Sequence, residues 1–172
     1  MKKIITKLVL IVICISFTGT SRAEYNIGIG ARMGKFAVGP ELKWFFSRNQ
    51  NVGLDVYAGY TREAKSGYFG RAFIIQQLPI MDSRLQIPLD IIIGGGGHVG
   101  YFNQDYYRIQ EGTPVYYNKG TPVAGISTMV GLEWDSERYP FTIGVEVIPY
   151  FNLWNPGPEW LDVALSVRYK FW

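Results

Sequence analysis

The chain is poor in the residues that carry most side-chain chemistry. It has a single cysteine, Cys14, and a single histidine, His98, in 172 residues. One thiol makes no disulfide framework and no cysteine-based metal site. One imidazole makes no histidine-rich metal centre. Long apolar runs are also missing. The one continuous stretch, from Leu8 to Phe17, is shorter than the roughly 20 residues that a membrane helix needs. Beyond it, no 3.6-residue apolar period persists, which argues against a helical domain.

The N-terminus reads as a leader. Met1-Lys2-Lys3 with Lys7 is basic, the apolar run follows, and Ser21-Arg22-Ala23 supplies small residues at two positions. This three-part pattern predicts a secretory signal peptide over residues 1–23, cleaved after Ala23, and a mature domain over 24–172. Cys14 lies too early for lipidation and leaves with the leader. Losing Lys2, Lys3, Lys7 and Arg22 takes 17 basic residues to 13 against 14 acids, so the formal charge moves from +3 to −1. The basic balance belongs to the leader, and nothing in the mature chain suggests a nucleic-acid partner.

Strict alternation is what the chain has in abundance. Leu161, Val163, Leu165, Val167, Tyr169 and Phe171 alternate with Asp162, Ala164, Ser166, Arg168 and Lys170. Period-2 patterning of this kind marks a strand with one apolar and one polar face. Seven earlier runs share it, at 25–33, 36–46, 52–60, 68–78, 87–99, 125–134 and 141–151. The fourth has an unclean phase, because Phe69 and Phe73 fall on the face of Arg71. Short turns at 47–51, 80–86 and 135–140 alternate with longer loops at 61–67, 101–124 and 152–160. Pro40, Pro88 and Pro149 fall in or beside runs and imply bulges or strand ends.

Eight runs of this length suit a closed eight-stranded barrel, and two versions of it use the alternation in opposite senses. A soluble barrel turns its apolar face inward, and a membrane barrel turns it outward. The polar face favours the second. It carries Gly28, Gly30, Gly53, Gly59, Gly94, Gly96, Gly131 and Gly144, and a narrow interior needs small residues where side chains converge. It also carries Arg32, Glu41, Lys43, Asp55, Asp90, Glu133, Glu146, Asp162, Arg168 and Lys170, with Arg71 if the fourth run follows suit. These form a candidate interior charge network, since buried charges must be paired. Reversing the phase would put Arg168 and Lys170 against lipid, at roughly 2–4 kcal/mol each near the midplane. Tyr25, Trp44, Phe46, Tyr60, Trp134, Phe141, Phe151, Tyr169 and Phe171 would form aromatic girdles.

On these residues the mature chain resembles the small eight-stranded outer-membrane barrels of the OmpA/OmpX type. The resemblance implies an all-β, eight-stranded antiparallel up-and-down transmembrane β-barrel in the bacterial outer membrane. Its implied partners are outer-membrane lipid and lipopolysaccharide. It further implies a C-terminal insertion signal, here Tyr169, Phe171 and Trp172, read by the barrel-assembly machinery. An interior filled by side chains, rather than a wide pore, suits eight strands.

Chemistry is thin. Gly94 to Gly97 before His98 lacks the Lys-Ser/Thr of a phosphate loop and reads as a wall where neighbours need room. His98 is the one candidate general base. The lipid A deacylase pattern wants Ser two residues later, and position 100 is Gly. Asp82-Ser83 matches the palmitoyltransferase pair in letters but falls on a short turn, away from His98. The alternatives kept beside a scaffold role are a lipid A-modifying enzyme and a small-ligand-binding periplasmic barrel. No cofactor or metal is implied. The candidate binding surface is the long loop, with Tyr101, Phe102, Tyr106, Tyr107, Arg108, Tyr116, Tyr117 and Lys119. Aromatics beside cations suit sugars or lipopolysaccharide phosphates, and equally suit a membrane interface.

Phe171 keeps the apolar phase of the last run and Trp172 lies one residue beyond it. Phe171→Ala should impair membrane assembly, whereas deletion of Trp172 should spare it, read as the yield of the heat-modifiable folded band on a denaturing gel.

Overall fold

The computed structural model describes residues 25–47, 50–61, 67–80, 88–103, 105–118, 120–135, 139–155 and 160–171. The leader, Asp82-Ser83, Lys119 and Trp172 lie outside the described residues, as do the side chains of Tyr106 and Arg108. The strands are β1 (Ile27–Gly34), β2 (Ala37–Ser47), β3 (Gln50–Thr61), β4 (Gly67–Pro79), β5 (Leu89–Phe102), β6 (Tyr106–Gln110), β7 (Thr113–Tyr117), β8 (Thr121–Asp135), β9 (Phe141–Trp154) and β10 (Leu161–Phe171). Eight of them close an antiparallel barrel in the order β1-β10-β9-β8-β5-β4-β3-β2, and β6 and β7 form a separate hairpin. Each barrel strand therefore pairs with its sequence neighbours, and β10 returns to β1 with Ile27 opposite Phe171 and Gly34 opposite Ala164. Closure leaves no unpaired barrel edge.

The faces separate by polarity. Arg32, Lys43, Asp55, Glu133, Glu146 and Arg168 point inward and are each 0% exposed. Ile29, Leu42, Ile74, Val99, Val130, Val145, Leu165 and Val167 stand exposed on the outer wall. A soluble barrel has the opposite arrangement. The phase of β4 is also clear: Phe69, Arg71, Phe73, Ile75 and Gln77 face inward and are buried. The interior is therefore partly apolar. Tyr25, Phe45, Phe73, Ile75, Ile92, Met129 and Ile148 form one buried cluster. Phe36, Ala37, Tyr57, Phe69, Phe102 and Val123 form another.

Aromatic rings edge the outer wall at both ends. At the end carrying the short turns, Trp44 packs on Phe46 with ring centroids 5.6 Å apart, and Tyr169 on Phe171 at 5.0 Å. At the opposite, loop end, Tyr60 meets Tyr68 at 5.7 Å. Tyr25 is an exception to the girdle expected from its phase. It precedes β1, is 1% exposed, and packs inside against Phe45 at 5.3 Å. The chain before the first ladder pair is not held to the alternation of the strand.

The prolines behave differently from the bulges or strand ends expected of them. Pro88 does sit just before β5, where its carbonyl accepts from Asp135 N at 2.9 Å. Pro40 pairs with Ala31 on one side, and the ladder to β3 skips Gly39 and Pro40 without changing register. Pro149 does the same between β8 and β9. A missing N–H thus leaves a gap in one ladder and costs no stagger. The register shifts fall elsewhere, between Phe45 and Ser47 and at Ala124/Gly125. At the second, Ala124 faces Trp154 while Gly125 faces Asn152, so Leu153 is the extra residue.

The glycine run in β5 alternates in role. A Cβ at Gly96 would lie 1.9 Å from the Ala72 carbonyl oxygen, whereas one at Gly95 meets nothing within 4 Å. Gly96→Val should abolish folding into detergent micelles, and Gly95→Val on the outer face should fold normally, compared by heat-modifiable migration.

Candidate functional site

The densest polar chemistry is an ion-pair network across the barrel interior. Arg168 on β10 reaches four other strands, with Asp55 on β3 the most distant at 3.7 Å. Its Nη2 donates to Glu41 Oε1 on β2 and to Glu146 Oε1 on β9, each at 2.5 Å, and its Nη1 pairs with Glu133 on β8. Arg32 on β1 donates to Glu41 at 2.8 Å and to Asp55 at 3.1 Å, and pairs with Glu146 at 2.6 Å. Lys43 Nζ donates to Glu133 at 2.6 Å. The Tyr25 hydroxyl donates to the second oxygen of Glu133 at 2.8 Å, and Ser166 Oγ donates to Glu146 at 3.2 Å.

The other interior charges pair in separate places. Asp162 takes a hydrogen bond from Arg71 at 2.8 Å and another from Phe36 N at 3.0 Å. The Arg71 guanidinium lies over the rings of Phe69 and Tyr150, 4.7 and 4.9 Å from their centroids. Lys170 pairs with Asp135, and Asp90 accepts from Gln77. Sequence reasoning missed Asp135, which it assigned to a turn, because the last residue of a strand carries little pattern. It continues the inward set of Gly131 and Glu133, a signal that was available. Tyr25 was missed for the opposite reason, being extrapolated from a pattern that had not begun.

Glu41, Asp55 and Glu146 bring carboxylate oxygens within 4.8 Å of one another in a buried position, a spacing that suits a metal ion. The guanidinium groups of Arg32 and Arg168 already lie among these oxygens, so arginine meets the charge there. What the network can do chemically is brace strands and fill the lumen.

A second polar group lies toward the loop end. His98 on the inner face of β5 is held between Ser127 Oγ, 2.8 Å from Nδ1, and Asn152 Oδ1, 2.7 Å from Nε2. With the carboxamide oxygen accepting from Nε2–H, Nδ1 accepts from the serine hydroxyl. His98 also stacks on Phe69 at 5.3 Å and meets Tyr150 edge-on at 5.2 Å. Nucleophile, base and orienter stand in the order used for acyl transfer. Ser127 is 2% exposed, however, so a substrate carbonyl has no approach to it in this conformation.

The long-loop residues divide. The segment expected to be irregular contains the β6–β7 hairpin, turned by Glu111 and Gly112 at φ of 49° and 83°. Both positive values are those of a type I′ turn. The Glu-Gly pair between two short Tyr-rich runs was its legible signal. Tyr107 and Tyr116 pair across the hairpin, exposed, with ring centroids 5.8 Å apart. Tyr101 is exposed on the outer wall, and Tyr117 packs against the loop-end interior cluster. Phe102 departs from the binding surface expected of it. It turns inward, 0% exposed, against Phe36, because the alternation of β5 runs three residues further than the sequence reading took it.

No family model matches the chain, and no curated protein matches it by sequence. Among solved structures it is similar to the N-terminal β-barrel domain of Pseudomonas aeruginosa OprF, with a TM-score of 0.60. Identity is 13%, and the alignment covers 84% of this chain and 96% of that one. The shared feature is the fold. This chain is a small eight-stranded barrel. At this identity the likeness concerns the fold alone, and the interior charges described above are read from this chain's own side chains.

Arg168→Met should lower stability by about 3–5 kcal/mol, because it leaves the buried carboxylates of Glu41, Asp55, Glu133 and Glu146 with only Arg32 and Lys43 among them. Urea unfolding of the barrel in lipid vesicles measures this.

Proposed function

We propose that the protein is a bacterial outer-membrane barrel with a structural and interactive role, a side-chain-filled scaffold that presents its loop-end hairpin outside the cell. The observation that carries this reading is the inversion of the barrel: an apolar outer wall with aromatic edges around a lumen of buried ion pairs. Only a lipid surround makes that distribution favourable, because water would leave the outer wall unsatisfied. Export would use the leader over 1–23, removed after Ala23. Tyr169 and Phe171, both exposed on the outer face of β10, are then the residues the assembly machinery reads. Lipid contacts the wall, and lipopolysaccharide or another glycan meets the segment 101–124.

A lipid A-modifying activity has one observation in its favour, the Ser127-His98-Asn152 order. The burial of Ser127 weighs against it. A periplasmic barrel for small ligands would need the apolar side chains inside.

Expression in a Gram-negative host should place the protein in the outer-membrane fraction with heat-modifiable migration, and recovery in the soluble periplasm would end the reading. In planar bilayers the folded barrel should show no large, stable conductance, because the ion-paired lumen admits no wide water column. His98→Ala should leave the acylation pattern of lipid A unchanged.

A further inference from the structure

A cleft opens at the loop end between the hairpin and the outer end of β9, with a volume of 860 Å³. That lies within the roughly 300–1,000 Å³ typical of small-ligand sites. Trp160 and Phe151 offer exposed ring faces, and Asn152, Asn155, Thr113 and Glu111 supply hydrogen-bonding groups around them. Among the described residues Glu111 is the one charged residue lining it.

The walls are held in place from behind. The Trp160 carbonyl accepts from Tyr150 N at 2.9 Å, which fixes that residue beside β9 while its indole stays exposed. Asn155 adopts a φ of 51° and donates from Nδ2 to the Pro122 carbonyl at 2.8 Å. Asn152 is oriented by His98, so its amide NH₂ is turned away from the imidazole. The extra residue Leu153 shifts Trp154, and with it the turn at Asn155, against β8. An anchored, exposed indole ringed by amides, a hydroxyl and a carboxylate suits a ligand with an apolar C–H face and many hydroxyl groups. Phosphate or sulfate would meet the Glu111 carboxylate and no cation among the described residues.

We propose that this cleft binds an uncharged saccharide, stacked on Trp160 and hydrogen-bonded by Asn152, Asn155 and Glu111. The inference rests on the outer-membrane reading above, which puts the cleft outside the cell, and narrows it. The contact is made by the cleft rather than by the tyrosine face of the hairpin, and by sugar hydroxyls rather than phosphates. The sugar could be the neutral outer-core hexoses of the cell's own lipopolysaccharide or a neutral glycan from elsewhere, and both present the same chemistry.

The test uses the full-length mature barrel folded in detergent micelles. Saturation-transfer NMR and titration calorimetry would be run with three probes: a neutral core oligosaccharide made of the outer-core hexoses alone, a panel of other neutral hexose and N-acetylhexosamine trisaccharides, and inorganic phosphate. Saturable binding of a neutral sugar is expected, weakened about tenfold by Trp160→Ala and also weakened by Glu111→Ala, with folding of each variant checked by heat-modifiable migration. Binding confined to the core oligosaccharide assigns the cell's own surface, and binding of a panel sugar assigns an outside glycan. The proposal falls if no neutral sugar binds, if phosphate competes, or if Tyr107→Ala with Tyr116→Ala abolishes binding while Trp160→Ala does not. A folded outer-membrane barrel that binds no sugar overturns this inference alone. A protein found in the soluble periplasm overturns the reading beneath it, whatever it binds.

Discussion

One guanidinium ties the barrel together. Arg168 sits on the closing strand and pairs with carboxylates from β2, β3, β8 and β9. A charge at that position cannot face lipid, and in a lumen this narrow it cannot keep its water. The carboxylates are subject to the same constraint. Each group is tolerable only because the others are present, so the network acts as a unit. Arg32 repeats the arrangement one strand over, and Lys43 with Tyr25 completes Glu133. Such a cluster is weak evidence for net stabilisation compared with a well-packed apolar core. It is stronger evidence for specificity, because a shifted strand would separate charges that cannot be left alone.

The rest of the interior follows from the space the network occupies. Its members come mainly from β1, β2, β3, β8, β9 and β10. Strands β4 and β5 fill the facing side with Phe73, Ile75 and Ile92, and glycines such as Gly96 let neighbouring backbone approach where no Cβ would fit. Toward the loop end the filling turns aromatic. Arg71 is held there between rings and against Asp162, and His98 is held between Ser127 and Asn152. These contacts brace the base on which the hairpin and the cleft stand. The longest strands, β5, β8 and β9, carry that superstructure.

Much of this was legible in the chain. The outward set Leu161, Val163, Leu165, Val167, Tyr169 and Phe171 and the inward set Asp162, Ser166, Arg168 and Lys170 can be read one residue at a time, and so can six of the other runs. The fourth run misled because Phe69 and Phe73 are interior aromatics beside an interior arginine, and hydrophobicity alone cannot tell lumen packing from lipid contact. Phe102 and Asp135 were lost at strand ends, where ladder pairing decides how far a strand goes. The hairpin was hidden because ten residues of two short strands look like a tyrosine-rich loop.

Alternation belongs to the local chain. The pleat imposes a period of two on every strand, so the sequence by itself determined the eight staves, the sense in which all but the fourth face, and hence the inverted polarity of the barrel. Which interior groups meet was decided elsewhere. Arg168 and Glu41 are separated by 127 positions and meet only because closure and strand stagger bring their levels together. The cleft depends on one extra residue in β9 and on a hairpin folded back beside it. Contacts of this kind depend on shear, which is a property of the whole closed sheet and is written in no single strand.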